Sequence, residues 1–109
     1  MYIVICEDER NFAEELQQEL RSILQEKEVE CRICYCENGT AFRREMEQGE
    51  AVDLLFMDLH LGDADGVELV KEQARNSIKI PPVFLSMRLQ REGVKVASFL
   101  GSYSPFKYK

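Results

Sequence analysis

The 109-residue chain has no tryptophan, only three prolines and a single histidine, His60. With one imidazole available, metal sites built on several histidines are excluded. No apolar run approaches the length of a bilayer-spanning helix, so a membrane partner is not expected. No basic leader precedes the first apolar run, and a cytoplasmic protein is therefore expected. Basic residues are the minority, 14 against 20 acidic ones, for a net charge of −6. Binding to nucleic acid needs a basic surface, so this domain alone is not expected to bind it. Internal repeats, low-complexity tracts and linkers are absent too, and the length suits one compact domain.

The four cysteines are Cys6, Cys31, Cys34 and Cys36. Cys31 and Cys34 form a CxxC, but they sit in the strand-like alternation Val29, Cys31, Ile33, Tyr35. Residues three apart on an extended strand point to opposite faces, so the pair cannot jointly grip one metal ion. The cysteines read as small buried apolar side chains of a reducing compartment.

What is present is an alternation of strand and helix signals. Tyr2 to Cys6 is a continuous β-rich apolar run that ends in Glu7-Asp8-Glu9. Asn11 reads as an N-cap with Glu14 three residues on, opening a helix whose apolar face is Phe12, Leu16, Leu20, Ile23 and Leu24. Val29 to Cys36 reads as the second strand. Asn38-Gly39 marks a turn, Thr40 caps a short helix to about Gln48, and Gly49 ends it. Val52 to Leu59 is the third strand, 62–66 a loop, and Val67, Leu69, Val70 and Ala74 mark a third helix. Val83-Phe84-Leu85 reads as the fourth strand, 94–100 as a weaker helix, and 106–109 as a fifth strand.

Strands too apolar to face water, separated by helices, imply an α/β fold with a parallel sheet covered on both sides. For five strands this is the doubly wound, flavodoxin-like order 2-1-3-4-5, whose ligands bind at the carboxyl ends of the first and third strands. Glu7 and Asp8 end the first strand and Asp58 ends the third. Asp58 lies in Leu54-Leu55-Phe56-Met57-Asp58-Leu59, where a lone buried carboxylate would be costly. Three carboxylates in one crevice repel and raise each other's pKa unless a cation compensates. Hard oxygens at this density suit Mg²⁺.

The runs Ile3-Val4-Ile5-Cys6-Glu7-Asp8-Glu9, Asp53-Leu54-Leu55-Phe56-Met57-Asp58-Leu59 and Gly66-Val67-Glu68-Leu69 resemble successive motifs of response regulator receiver domains, which have a CheY-like fold. The Cys-Glu-Asp wording and the Leu-Gly-Asp-x-Asp-Gly loop are most similar to receivers of LytTR-type transcriptional regulators. The resemblance implies that Asp58 takes a phosphoryl group from a sensor histidine kinase. It implies that Asp8 and Asp58 bind Mg²⁺ directly, joined by the backbone carbonyl of His60 and, through water, by Glu7. It further implies that Ser86 is the switch hydroxyl, Phe106 the switch aromatic and Lys109 the lysine that contacts phosphate. The alternative register uses Tyr103 and Lys107. The chain would then be a signalling phosphoacceptor that catalyses only its own phosphorylation and dephosphorylation, and not a conventional enzyme.

The sequence departs from that pattern after residue 86. No proline follows either candidate lysine, and the chain stops where the family's last helix begins. A single receiver domain over 1–109, truncated at its C-terminus and without an output domain, is expected. The sheet face left open there would favour association, so a dimer is a candidate assembly. Three other readings compete. A calcium loop would use Asp63, Asp65, Gly66 and Glu72, but its first ligand position is Leu61. A phosphohydrolase with an aspartate nucleophile would need His60 as its acid and a substrate cap that the length does not provide. A degenerate receiver would act as a binding module without phosphorylation.

Overall fold

The computed structural model describes residues 1–75. The expected fourth and fifth strands, the helix between them, Ser86, Tyr103, Phe106, Lys107 and Lys109 lie outside the described residues.

The described elements are β1 (Tyr2–Cys6), α1 (Arg10–Glu26), β2 (Arg32–Cys36), α2 (Gly39–Met46), β3 (Leu54–Met57), β4 (His60–Leu61), β5 (Ala64–Asp65) and α3 (Gly66–Arg75). β1 pairs in parallel with both neighbours, giving the order β2-β1-β3. Ile5 faces Tyr35 and Phe56 in this register, and Cys6 faces Cys36 and Met57. A strand with partners on both edges and helices on both faces has no wet side. β1 is such a strand, and every residue of β1 and of β3, which pairs with it, is buried.

Alternate side chains of the strands feed two separate cores. Ile3, Ile5, Leu54 and Phe56 pack with Ala13, Leu16, Leu20 and Leu24 of α1. Tyr2, Val4, Cys6, Leu55 and Met57 pack with Phe42 and Met46 of α2 and Leu69 of α3. Cys31 lies against the first core and Cys34 against the second, which is the opposite-face placement that the strand period dictates.

Several local boundaries differ from the sequence reading. Asn11 is inside α1; the N-cap is Glu9, with no side-chain cap bond, and the Glu9 carbonyl accepts from Ala13 N–H at 3.2 Å. Only three residues connect β1 to α1, so the helix must begin before Asn11. Asn38, not Thr40, caps α2, its side chain accepting from Ala41 N–H at 2.8 Å. α2 ends at Met46, before Gly49, which has φ +73° and donates to the Met46 carbonyl. β2 starts at Arg32 instead of Val29, because residues 27–29 are spent closing α1. The segment read as a loop at 62–66 is the turn and second strand of a short antiparallel hairpin, β4–β5, running directly into α3.

The close of α1 had no glycine signal. Glu28 adopts φ +57°, Val29 N–H donates to Leu24 O at 2.9 Å and Glu28 N–H to Gln25 O at 3.1 Å. This is the Schellman arrangement, with Val29 packed back on the core. A side chain in the left-handed region costs energy that glycine avoids. Glu28→Gly is expected to raise the unfolding free energy by roughly 1 kcal/mol, read from the midpoint of urea denaturation.

Candidate functional site

The site is built by the carboxyl ends of β1 and β3. Backbone pairing continues one residue beyond each strand: Glu7 N–H donates to Cys36 O at 3.1 Å, and Asp58 N–H to Cys6 O at 2.9 Å. These bonds fix the backbone on either side of the crevice. The ligand atoms of Glu7, Asp8 and Asp58 all lie within 4.8 Å of one another. Glu7 is buried, Asp58 half-buried and Asp8 exposed, so the cluster grades from the interior out to water.

Glu7 sets the electrostatics. Its Oε1 accepts from Glu9 N–H at 3.0 Å. Its Oε2 is buried and has no hydrogen-bond partner among the described residues. An orphaned carboxylate oxygen inside a protein is costly. Burial, above all, pushes the Glu7 carboxyl up to about 8, and the negative charge of Asp58 adds to this, while the Glu9 N–H opposes it. Tyr35 anchors the same turn, its hydroxyl donating to the Glu7 carbonyl at 2.8 Å. Sequence reasoning missed Tyr35, which read only as a strand residue.

On the β3 side, the hairpin folds back on Asp58. Gly66 N–H donates to Leu59 O at 2.9 Å. A Cβ on Gly66 would overlap the Asp58 carbonyl oxygen and crowd Met57 Cγ at 2.9 Å. Gly66 is therefore required by close backbone approach. His60 begins β4 two residues after Asp58, its backbone paired with Asp65.

The acids of the supposed calcium loop do not converge. Asp63 accepts from Gly39 N–H at 2.8 Å and from the backbone and hydroxyl of Thr40, so it caps α2 from outside. The Gly39 N–H holds the Asp63 carboxyl below its usual range. Asp65 caps α3 by accepting from Val67 N–H at 2.8 Å and Glu68 N–H at 3.3 Å. Glu72 pairs with Arg43 at 2.9 Å. These carboxylates fasten elements to each other.

A donor set of three clustered carboxylates with an unpartnered buried oxygen fits a small hard cation.

A family model for the response regulator receiver domain matches residues 3–103. The chain belongs to the response regulator receiver family. Members of this family are signalling phosphoacceptors. A receiver domain (CheY-like) from Methylobacillus flagellatus superposes with a TM-score of 0.59 at 24 % identity, covering 77 % of this chain and 64 % of that one. The N-terminal domain of a response regulator/sensory box/GGDEF protein from Carboxydothermus hydrogenoformans gives 0.60 at 21 % identity, covering 80 % and 72 %. The chain thus spans just under two thirds of the first of these structures. Both show a shared flavodoxin-like fold of the CheY type. No curated protein matches the chain. Among the described residues, no helix of this receiver is long and apolar enough to cross a membrane.

Two outcomes follow from the site's packing and charge. Gly66→Ala is expected to destabilise the receiver by about 1–3 kcal/mol through overpacking against the Asp58 backbone, measured by denaturant unfolding. The folded pKa of Glu7 lies above its unfolded value, so the folded state holds a proton that the unfolded state releases. Its contribution is complete below about 4.5 and is lost as pH rises through about 8. With divalent cations chelated, stability is expected to fall between those limits, and Glu7→Gln to flatten that slope; a parent slope equal to the variant's would contradict this.

Proposed function

We propose that Asp58 is the phosphoacceptor of this receiver and takes its phosphoryl group from a sensor histidine kinase. The observation that carries this reading is the approach of Glu7, Asp8 and Asp58 to within 4.8 Å, around a buried carboxylate oxygen that has no hydrogen-bond partner among the described residues. Asp8 and Asp58 would hold Mg²⁺ directly, with the His60 backbone carbonyl, and Glu7 would act through water. When bound, the ion would neutralise charge spreading over the transferring phosphoryl oxygens.

The chain's own residues supply position. Asp58 is half-buried, with its backbone tied to Cys6, so its carboxylate is presented from a fixed strand end. Attack by a carboxylate oxygen on phosphorus forms the acyl phosphate and breaks the bond to the donor's leaving group. Asp8, at the exposed rim, is placed to receive a hydrated ion. Ser86 and Lys109, or Lys107 in the other register, would then contact the new phosphoryl oxygens, with Phe106 or Tyr103 as the switch aromatic. Contacts made only in the phosphorylated state are what bias a two-state surface. The wording of the first-strand and hairpin motifs supports a LytTR-type parent protein that regulates transcription in the cytoplasm. We read residues 1–109 as one receiver domain, with a DNA-binding output domain implied by the resemblance alone, and a dimer as its candidate assembly.

The test is intact-mass analysis after treatment with acetyl phosphate and Mg²⁺. One phosphoryl group is expected on the parent, none on Asp58→Asn, and none on the parent when Mg²⁺ is chelated. An unlabelled parent at saturating Mg²⁺ would overturn phosphoacceptance and favour a binding module; continuous turnover of an external phosphate ester would favour a phosphohydrolase.

A further inference from the structure

Three thiols meet beneath α2, and nothing in phosphoacceptance uses them. Cys34 and Cys36 are two residues apart on β2 and therefore share a face. Cys6 is the register partner of Cys36 on β1. All three belong to the core that Phe42 and Met46 of α2 close over. Cys36 is the middle member, with Cys6 and Cys34 as the thiols that act on it. Cys6 and Cys36 are buried, whereas Cys34 is half-buried and marks the solvent side of the group. The fourth cysteine, Cys31, packs on the other side of the sheet.

Strand geometry decides which two sulfurs can be joined. Paired positions on neighbouring strands are about 4.8 Å apart, within the roughly 4.4–6.8 Å between Cα atoms that disulfides span. Positions i and i+2 of one strand are about 6.6 Å apart with parallel Cβ directions, at the limit of that range and strained. Cys6 and Cys36 are the first case, Cys34 and Cys36 the second.

We propose that Cys6 and Cys36 form a reversible disulfide, delivered from a small-molecule disulfide through Cys34. Cys34 attacks one sulfur of the incoming disulfide, forming a mixed disulfide and releasing one small thiol. Cys36 attacks the Cys34 sulfur, releasing the second small thiol and leaving a strained, short-lived bond between Cys34 and Cys36. Cys6 then attacks the Cys36 sulfur and returns Cys34 to its thiol. At each exchange the attacking thiol's proton ends on the leaving thiolate. In sum, two protein thiols lose two electrons and one small disulfide is reduced to two thiols. The new bond joins the residue before Glu7 to the residue whose carbonyl accepts the Glu7 N–H.

The experiment is exposure of the reduced chain to oxidised glutathione, followed by acid quench, alkylation, intact mass and disulfide mapping. The parent is expected to lose about 2 Da, with Cys6 linked to Cys36, Cys31 and Cys34 alkylated, and the change reversed by dithiothreitol. Cys36→Ser is expected to halt with glutathione on Cys34, Cys6→Ser to go no further than the strained Cys34–Cys36 bond, and Cys34→Ser to form the Cys6–Cys36 bond roughly ten-fold more slowly. A parent that keeps glutathione without an internal bond, or that links Cys31, overturns the proposal. Oxidation of Cys34→Ser at the parent's rate overturns the delivery route. The parent alone decides the bond, so a serine variant that fails to fold does not remove the test.

Discussion

A carboxyl group held inside the protein at the end of the central strand is the constraint around which the described structure is arranged. Glu7 follows β1 directly, and β1 is the strand that both neighbours pair with. Its side chain cannot leave, because its backbone is tied to Cys36 and its carbonyl receives the Tyr35 hydroxyl. One of its oxygens has no hydrogen-bond partner among the described residues, and Asp58 is held opposite by pairing to Cys6. Removing an uncompensated charge from water costs several kcal/mol, so the carboxyl stays protonated to unusually high pH unless positive charge arrives. The acids that end β1 and β3 therefore form a group whose charged state a cation would favour.

That group is tolerable because the remainder of the fold is over-determined. The two cores share the strands but not their side chains, so each helix layer is anchored independently. The β4–β5 hairpin adds a second kind of fastening. Asp63 reaches back to the amino end of α2 while Asp65 starts α3, and Gly66 directly after them lets the hairpin lie on the Asp58 backbone. Arg43 and Glu72 then join α2 to α3 at the surface, where an exposed pair contributes little to stability but helps fix orientation. The charged residues of this region thus serve position, and only the cluster at the strand ends concentrates unbalanced charge.

Much of this was legible in the sequence, for physical reasons that differ by element. β1 and β3 declare themselves because strands covered on both faces must be apolar throughout, and their order follows from handed crossovers. Glu7, Asp8 and Asp58 stand out as charges at the ends of such runs, and the structure brings those three together. The helix ends were less legible. Glu9 and Glu28 act through backbone geometry, Asn38 caps with its side chain where Thr40 was expected, and Glu28 takes a conformation normally signalled by glycine. Asp63 and Asp65 were visible as an acidic loop, but which amide groups they would meet depends on contacts across 23 to 24 residues for the first and two or three for the second. The same spacing that imitates a calcium loop is what two successive helix caps require. Tyr35 carried no polar signal at all, since its ring satisfies the strand pattern while its hydroxyl serves the site.

The grading of exposure across the cluster bears on how such a site can act. A fully buried triad would exclude both a hydrated ion and a phosphodonor, whereas a fully exposed one would be screened by water and would exert little pull on either. Here Glu7 supplies the desolvated carboxyl, Asp8 the open rim, and Asp58 the intermediate position. Under the proposed phosphoacceptor role, the nucleophile is the carboxylate with both a fixed backbone and access to solvent. Esterifying Asp58 would exchange one carboxylate charge for a phosphoryl group of greater charge beside a residue that already resists ionisation. A cation held by the cluster would offset that added charge, so under this reading ion binding and phosphorylation at Asp58 favour each other.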